Sequence, residues 1–137
     1  MKIIISGGRQ SKSSLSYFNK EWSNGVSGVI FEYDTNSKKI EEKFTYETPE
    51  RYRAEKDYSI SFKSGSIFDN NLYITTLTEI LIISLPNYKL IDKISLNLFN
   101  DLHHVVYDNN FLYVVVTGLD LVLQYDLLKK KVSNHYN

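Results

Sequence analysis

One stretch of this chain is written twice. Ser66–Asp92 reads SIFDNNLYITTLTEILIISLPNYKLID, and Val105–Val132 reads VVYDNNFLYVVVTGLDLVLQYDLLKKKV. Asp69-Asn70-Asn71 matches Asp108-Asn109-Asn110, Leu72-Tyr73 matches Leu112-Tyr113, Thr76 matches Thr117, and Ser84-Leu85 matches Tyr125-Asp126. The offset is 39 to 41 residues, which absorbs an inserted Phe111 and one further residue. A period of this length means stacked supersecondary units, none of which buries its apolar face alone. A third, degenerate copy precedes them. Gly28–Asp34 (GVIFEYD) has the character of Leu119–Asp126 and ends in the same Tyr-Asp, while Lys2–Ser6 matches Leu72–Thr76.

The repeated unit is built of strands. Ala54 is the only alanine and Met1 the only methionine, so the residues that lose least entropy in a helix are nearly absent. Ile, Val, Thr, Tyr and Phe carry the apolar load, and these suit a pleated, half-buried surface. The pattern predicts strands at Lys2–Ser6, Val29–Asp34 and Lys39–Tyr46, then Ser59–Phe68, Leu72–Leu77, Ile80–Leu85 and Leu90–Leu96. A last group falls at His104–Tyr107, Phe111–Thr117, Leu121–Leu127 and Lys131–Tyr136. Short strands with turn signals between them indicate an all-β sandwich, barrel or propeller, and a period of about 40 residues selects four-stranded propeller blades. A sandwich with accidental hairpin similarity is the competing fold.

The segment HHVVYDNNFLYVVVTGLDLVLQYDL, from His103 to Leu127, carries a family resemblance. Its order of double His, apolar strand, Leu-Tyr-Val strand, Thr-Gly-Leu-Asp turn and Tyr-Asp resembles one blade of β-propellers of the NHL, YVTN and quinoprotein-like type. The resemblance covers about half the chain and implies a fold, not an activity. It implies one domain over residues 1–137: blade 1 at about 1–46, blade 2 at about 59–96 and blade 3 at about 102–136, with a long loop at 7–27. Blade 1 then lacks its first strand. Propellers close with about four to eight blades, so three blades imply half a propeller completed by a second copy or a complementary half, or a piece of a longer ring.

Composition narrows the function classes. Lys+Arg and Asp+Glu are both 16, giving a net charge of zero. That excludes nucleic-acid or membrane binding by bulk positive charge. No cysteine is present, so there is no thiolate metal site and no cysteine nucleophile. No apolar run approaches the roughly 20 residues that span a bilayer, and the expectation is a soluble, cytoplasmic chain.

The resemblance implies that the b–c loops and d–a connections share one rim (strands lettered a to d outward from the channel). Loop 7–27 carries Arg9 and the only tryptophan, Trp22; residues 47–58 carry Arg51 and Arg53; residues 97–104 carry Asp101, His103 and His104. Arginines present a planar fork suited to a carboxylate or phosphate, though neighbouring acids suit them to surface ion pairs as well. Gly7-Gly8 offers backbone N–H groups to an anion but lacks the G-x-x-x-x-G-K-[ST] spacing. His103 and His104 are the candidate catalytic or metal-binding pair, with rings expected on opposite sides of a regular strand. Three histidines in all cannot easily build a three-His metal site. Asp120, and Glu79 near the matching place, would put one acid per blade on the rim; Asp69, Asp108 and Asp126 read as turn residues, and Lys129-Lys130-Lys131 as a solvated hairpin turn. Two functions follow, beside a purely structural reading as a self-assembling half-propeller or a subunit of a larger complex. One is a binding module whose rim, lined by Arg9, Trp22, Arg51, Arg53 and Asp120, holds a small polar or anionic ligand or a protein partner. The other is a propeller-channel hydrolase or lyase with His103 as base or metal ligand. Neither a cofactor nor a metal is specified.

Overall fold

Strands form where the β-branched and aromatic residues cluster, and turns where Asp and Asn do. A computed structural model describes residues 1–10, 25–53 and 60–137, and these hold three antiparallel sheets. The first joins β1 (Lys2–Gln10), β2 (Gly25–Asp34) and β3 (Lys39–Tyr46) in chain order. The second has β4 (Gly65–Phe68), β5 (Asn71–Thr75), β6 (Ile80–Ser84) and β7 (Lys89–Ile94), and the third β8 (Leu102–Asp108), β9 (Phe111–Val116), β10 (Leu121–Asp126) and β11 (Lys131–Tyr136). Two compact units result, Met1–Phe62 with the first sheet and Lys63–Asn137 with the other two. No helix among the described residues is long and apolar enough to cross a membrane.

Turn chemistry sets the register. Asp69-Asn70 joins β4 to β5 and Asn109-Asn110 joins β8 to β9, each with positive φ at both residues (46° and 58°, 47° and 67°). Two left-handed residues match the twist of a two-residue hairpin, and Asp and Asn tolerate that region better than other side-chain-bearing residues. The structural repeat therefore aligns Asp69 with Asn109, one position away from the expected match of the two Asp-Asn-Asn strings. Likewise Ser84, paired with Asn71 and Lys89, corresponds to Asp126, paired with Phe111 and Lys131.

The last hairpin of every sheet follows one rule. Four residues separate the strands, and the fourth is left-handed: Lys38, Tyr88 and Lys130. Asp126 Oδ1 accepts the N–H groups of Leu128 and Lys129, both at 2.9 Å, and Asp34 Oδ1 accepts those of Asn36 and Ser37 at 2.8 and 3.5 Å. Asp126 is thus a turn residue, and Lys129-Lys130 the exposed turn.

Two expectations change. Loop 7–27 is shorter, because Gly7, Gly8 and Arg9 continue β1 and pair with Val29, Gly28 and Ser27. Gly8 and Gly28 are there for close approach: a Cβ on Gly8 would lie 2.6 Å from Ser61 Cβ, and one on Gly28 2.8 Å from the Phe62 ring. Phe62 stacks with Phe44 and Tyr46 and donates its N–H to Gly7 O at 3.1 Å. The strand expected at Ser59–Phe68 is confined to Gly65–Phe68, after an isolated parallel bridge from Ile60 to Val26.

Within the second unit, β8 packs against β4 and β5. Tyr73, Ile80, Ile82 and Ile94 of the second sheet meet Leu102, Val105, Leu112, Val114, Val116, Leu123 and Tyr125 of the third, with Phe99 from the connection. The second sheet is buried on its other face too, through Leu72, Ile74, Leu81 and Ile83, which explains why Ile80–Ile83 is an unbroken apolar run.

Leu112 is fully buried in this cluster, and Leu112→Ala is expected to cost about 2–5 kcal/mol, read as a lower urea midpoint. A pH effect comes from the turns. The backbone N–H of Lys129 holds the Asp126 carboxyl below its usual range, and that of Asn36 does the same for Asp34. A depressed carboxylate stabilises the fold above its unfolded pKa and loses that contribution as pH falls through the folded value. The variant carrying Asp34→Asn and Asp126→Asn should therefore lose less stability than wild type between pH 7 and pH 3 in urea titrations.

Candidate functional site

The second unit has a polar rim where three connections meet. One is Thr76–Glu79, between β5 and β6; its counterpart is Thr117–Asp120, a short 3-10 turn between β9 and β10; the third runs from Ser95 to Asp101, between β7 and β8. Backbone bonds tie them together. Leu102 N–H donates to Leu77 O at 3.0 Å, Thr117 N–H to Asp101 O at 3.1 Å, and Gly118 N–H to Asn100 O at 3.1 Å. Gly118 is required by the fit, since a Cβ there would stand 2.6 Å from Asn100 Cγ.

His103 sits on this rim because the strand is irregular. Leu102 pairs with Val116 and His104 with Val115, so His103 is the extra residue of a β-bulge. A bulge interrupts side-chain alternation and re-aims its residues, so the rule that predicts opposite-facing rings does not operate here. His103 Nε2 lies 3.4 Å from Asp101 Oδ1, both side chains about half exposed, and Asp101 has a left-handed backbone at φ 53°. His104 turns to the neighbouring sheet, its Nδ1 2.9 Å from Ser64 Oγ. Ser64 N–H donates to His103 O at 3.2 Å, and Ser66 Oγ accepts the N–H of Tyr107 at 3.2 Å. Ser64 and Ser66 thus stitch the approach to β4 and β4 itself onto β8, a contact that strand patterning gave no reason to expect.

The rim acids divide. Glu79 is fully buried and meets Lys93 Nζ at 3.5 Å, whereas Asp120 is exposed with φ 52° and closes its turn by donating its N–H to Thr117 O. Asp120 belongs to the same rim as Asp101 and His103 through the bonds above. Among the described residues no group of three or more His, Asp or Glu side chains is placed to hold a metal ion.

The arginines belong to the first unit and already have partners. Arg9, on β1, pairs with Glu42 on β3. Thr45 chiefly, and Arg9 with it, hold the Glu42 carboxyl below its usual range. Arg51 lies 4.7 Å from the centre of the Tyr52 ring, and Arg53 Nε donates to Thr48 O at 2.7 Å, fastening its own turn. Trp22 lies outside the described residues.

Chemically, the Asp101–His103 pair can hold or move a proton at the rim. The Ser64–His104 hydrogen bond ties β8 to the approach to β4: His104→Ala is expected to cost about 0.5–1.5 kcal/mol, against about 0–1 kcal/mol for His103→Ala at its exposed contact with Asp101. Paired thermal melts of the two variants check the order.

No family model matches the chain, and no curated protein matches it in sequence. Similarity to solved structures is clear in shape and slight in sequence. Sqt1 of Saccharomyces cerevisiae superposes with a TM-score of 0.59 at 14% identity, covering 81% of this chain and 29% of that one. The WD40 domain of Pan2 from Neurospora crassa gives 0.54 at 9% identity, covering 97% of this chain and 42% of that one. The chain spans less than half the length of either. Taken with the strand order and the repeated hairpins, this likeness identifies the sheets as β-propeller blades.

Proposed function

We propose that residues 1–137 act as one propeller-type domain, three blades of a ring that a second copy or a complementary subunit completes. Its rim then serves as a docking platform for a protein partner or a small polar or anionic ligand. The observation that carries this reading is the outer face of the third sheet. Val105, Leu112, Val114 and Leu123 are buried on one side, but the opposite side exposes Val106 (40%) and leaves Phe111, Tyr113, Val115 and Val122 only partly covered. The first sheet likewise exposes Ile3, Ile5 and Ile40, which share a face with Phe31 and Tyr33. Apolar sheet faces of this kind are association surfaces or aggregation hazards.

On the rim of the second unit, His103, Asp120 and the Asp101 carboxylate would supply polar contacts; Arg9, Arg51 and Arg53 are candidate anion contacts of the first unit by itself. The Asp101–His103 pair favours a second reading, a hydrolase or lyase with His103 as base. Metal analysis of untagged protein together with turnover by His103→Ala tests it, since unchanged turnover without bound metal removes His103 as base or metal ligand.

Light scattering after size exclusion tests the assembly. The chain is 16.0 kDa, and a particle of about twice that mass is expected. Val106→Lys combined with Val115→Lys should return it to the monomer. A wild-type monomer at tens of micromolar, unaltered by those substitutions, would refute assembly through this face.

A further inference from the structure

A cleft of about 190 Å³ opens at the interface between the second and third sheets, sharing only Ser95 and Leu96 with the rim connections and lying apart from the open face of the third sheet. Asp92–Leu96, the end of β7 and the residues after it, form one side. Tyr125, Leu127 and Lys130, from β10 and its turn, form the other. Ile94 and Tyr125 are buried at 8% and 5% exposure and make an apolar floor, while Leu96 and Leu127 are half-buried walls. Two large aliphatic side chains next in sequence to lining residues are exposed: Ile91, the bulged residue of β7 before Asp92, at 52% and Leu128, after Leu127, at 77%.

The charged residues lining this cleft are Asp92, Lys93 and Lys130, and Lys131 follows Lys130 in sequence. The turn Leu127-Leu128-Lys129-Lys130 and the following Lys131 contain three lysines and no acid. Lys129 is paired with Asp126 at 3.4 Å, and Lys93 with Glu79. Lys130 and Lys131 make no ion pair with any described residue. Asp92, the one acid lining the cleft, has its Oδ1 engaged by the N–H of Lys93 at 2.8 Å. That bond also occupies an N–H on the outer strand of the sheet, so the cleft is suited to a side chain rather than to an added strand.

We infer that this cleft docks an acidic peptide segment of a partner protein, which sets one large apolar side chain against Ile94 and Tyr125 and places carboxylates on Lys130 and Lys131. Apolar anchoring in a pocket with a complementary charged rim is how few residues come to dominate an interface. The inference does not depend on ring completion, because every residue in it belongs to the second unit.

The probe is a fluorescein-labelled peptide with one Phe between two pairs of Glu, titrated into the full chain by fluorescence anisotropy. Amide chemical-shift changes locate it. Saturable binding is expected, with shifts at Ile94, Leu96 and Leu127. Affinity should weaken at least about fivefold for the double charge reversal Lys130→Glu, Lys131→Glu and for Leu128→Asp, and with rising salt. All three substitutions are at exposed positions, so the fold is retained. The inference fails if no saturable binding occurs up to millimolar peptide, if the Phe→Ala peptide binds equally well, or if the shifts fall elsewhere. Binding to anionic vesicles without binding to the peptide overturns it as well.

Discussion

Burial between the second and third sheets is the constraint on which the second unit, Lys63–Asn137, rests. Either sheet alone would leave an apolar face in water. Each hairpin exposes an apolar face, and only stacking removes that face from water. Leu102, Val105, Leu112, Val114 and Val116 are completely buried in the contact. At roughly 1.5–3 kcal/mol for a fully buried large aliphatic side chain, a few such residues outweigh any ion pair on the surface. The polar features near the contact serve it. Ser64 and Ser66 satisfy groups on β8, Gly118 lets the 3-10 turn close onto Asn100, and buried Glu79 is neutralised by Lys93.

The fold was legible because its signals are local. Alternation and β-branching mark the strands, and Asp-Asn and Asn-Asn mark the two-residue turns at Asp69 and Asn109. The repeat reports that these units stack. Its alignment slipped by one position because identical letters need not occupy identical turn positions: Asp69 is inside its turn, whereas Asp108 ends a strand. The extent of β1 was hidden by Gly7-Gly8, which fell in the expected loop 7–27 although Gly8 is needed for the close approach of Ser61. For the site, the sequence placed His103 and Asp120 near one rim. It gave no means of seeing the bulge at His103 or the partner of His104, since both depend on pairing across strands and sheets.

The same physics separates the surfaces that can associate from those that cannot. An outer strand presents unpaired N–H groups that invite edge-to-edge pairing, and proteins blunt such edges. Here the device is repeated. Asp92 Oδ1 takes the N–H of Lys93 on β7, and Asn134 Oδ1 takes the N–H of His135 on β11, at corresponding places just beyond the bulges at Ile91 and Ser133. Each side chain occupies a donor that an incoming strand would need, so outward growth of these sheets is disfavoured. The open face of the third sheet has no comparable block. Its Tyr113, Gln124 and Tyr136 are linked by hydrogen bonds along the sheet, which satisfies their polar groups and leaves Val106 and Val115 as the dry contact. Occupied donors on β7 and β11 beside a partly bare apolar face fit the proposed face-to-face assembly better than edge-to-edge pairing, and face-to-face is how blade stacks on blade inside the second unit.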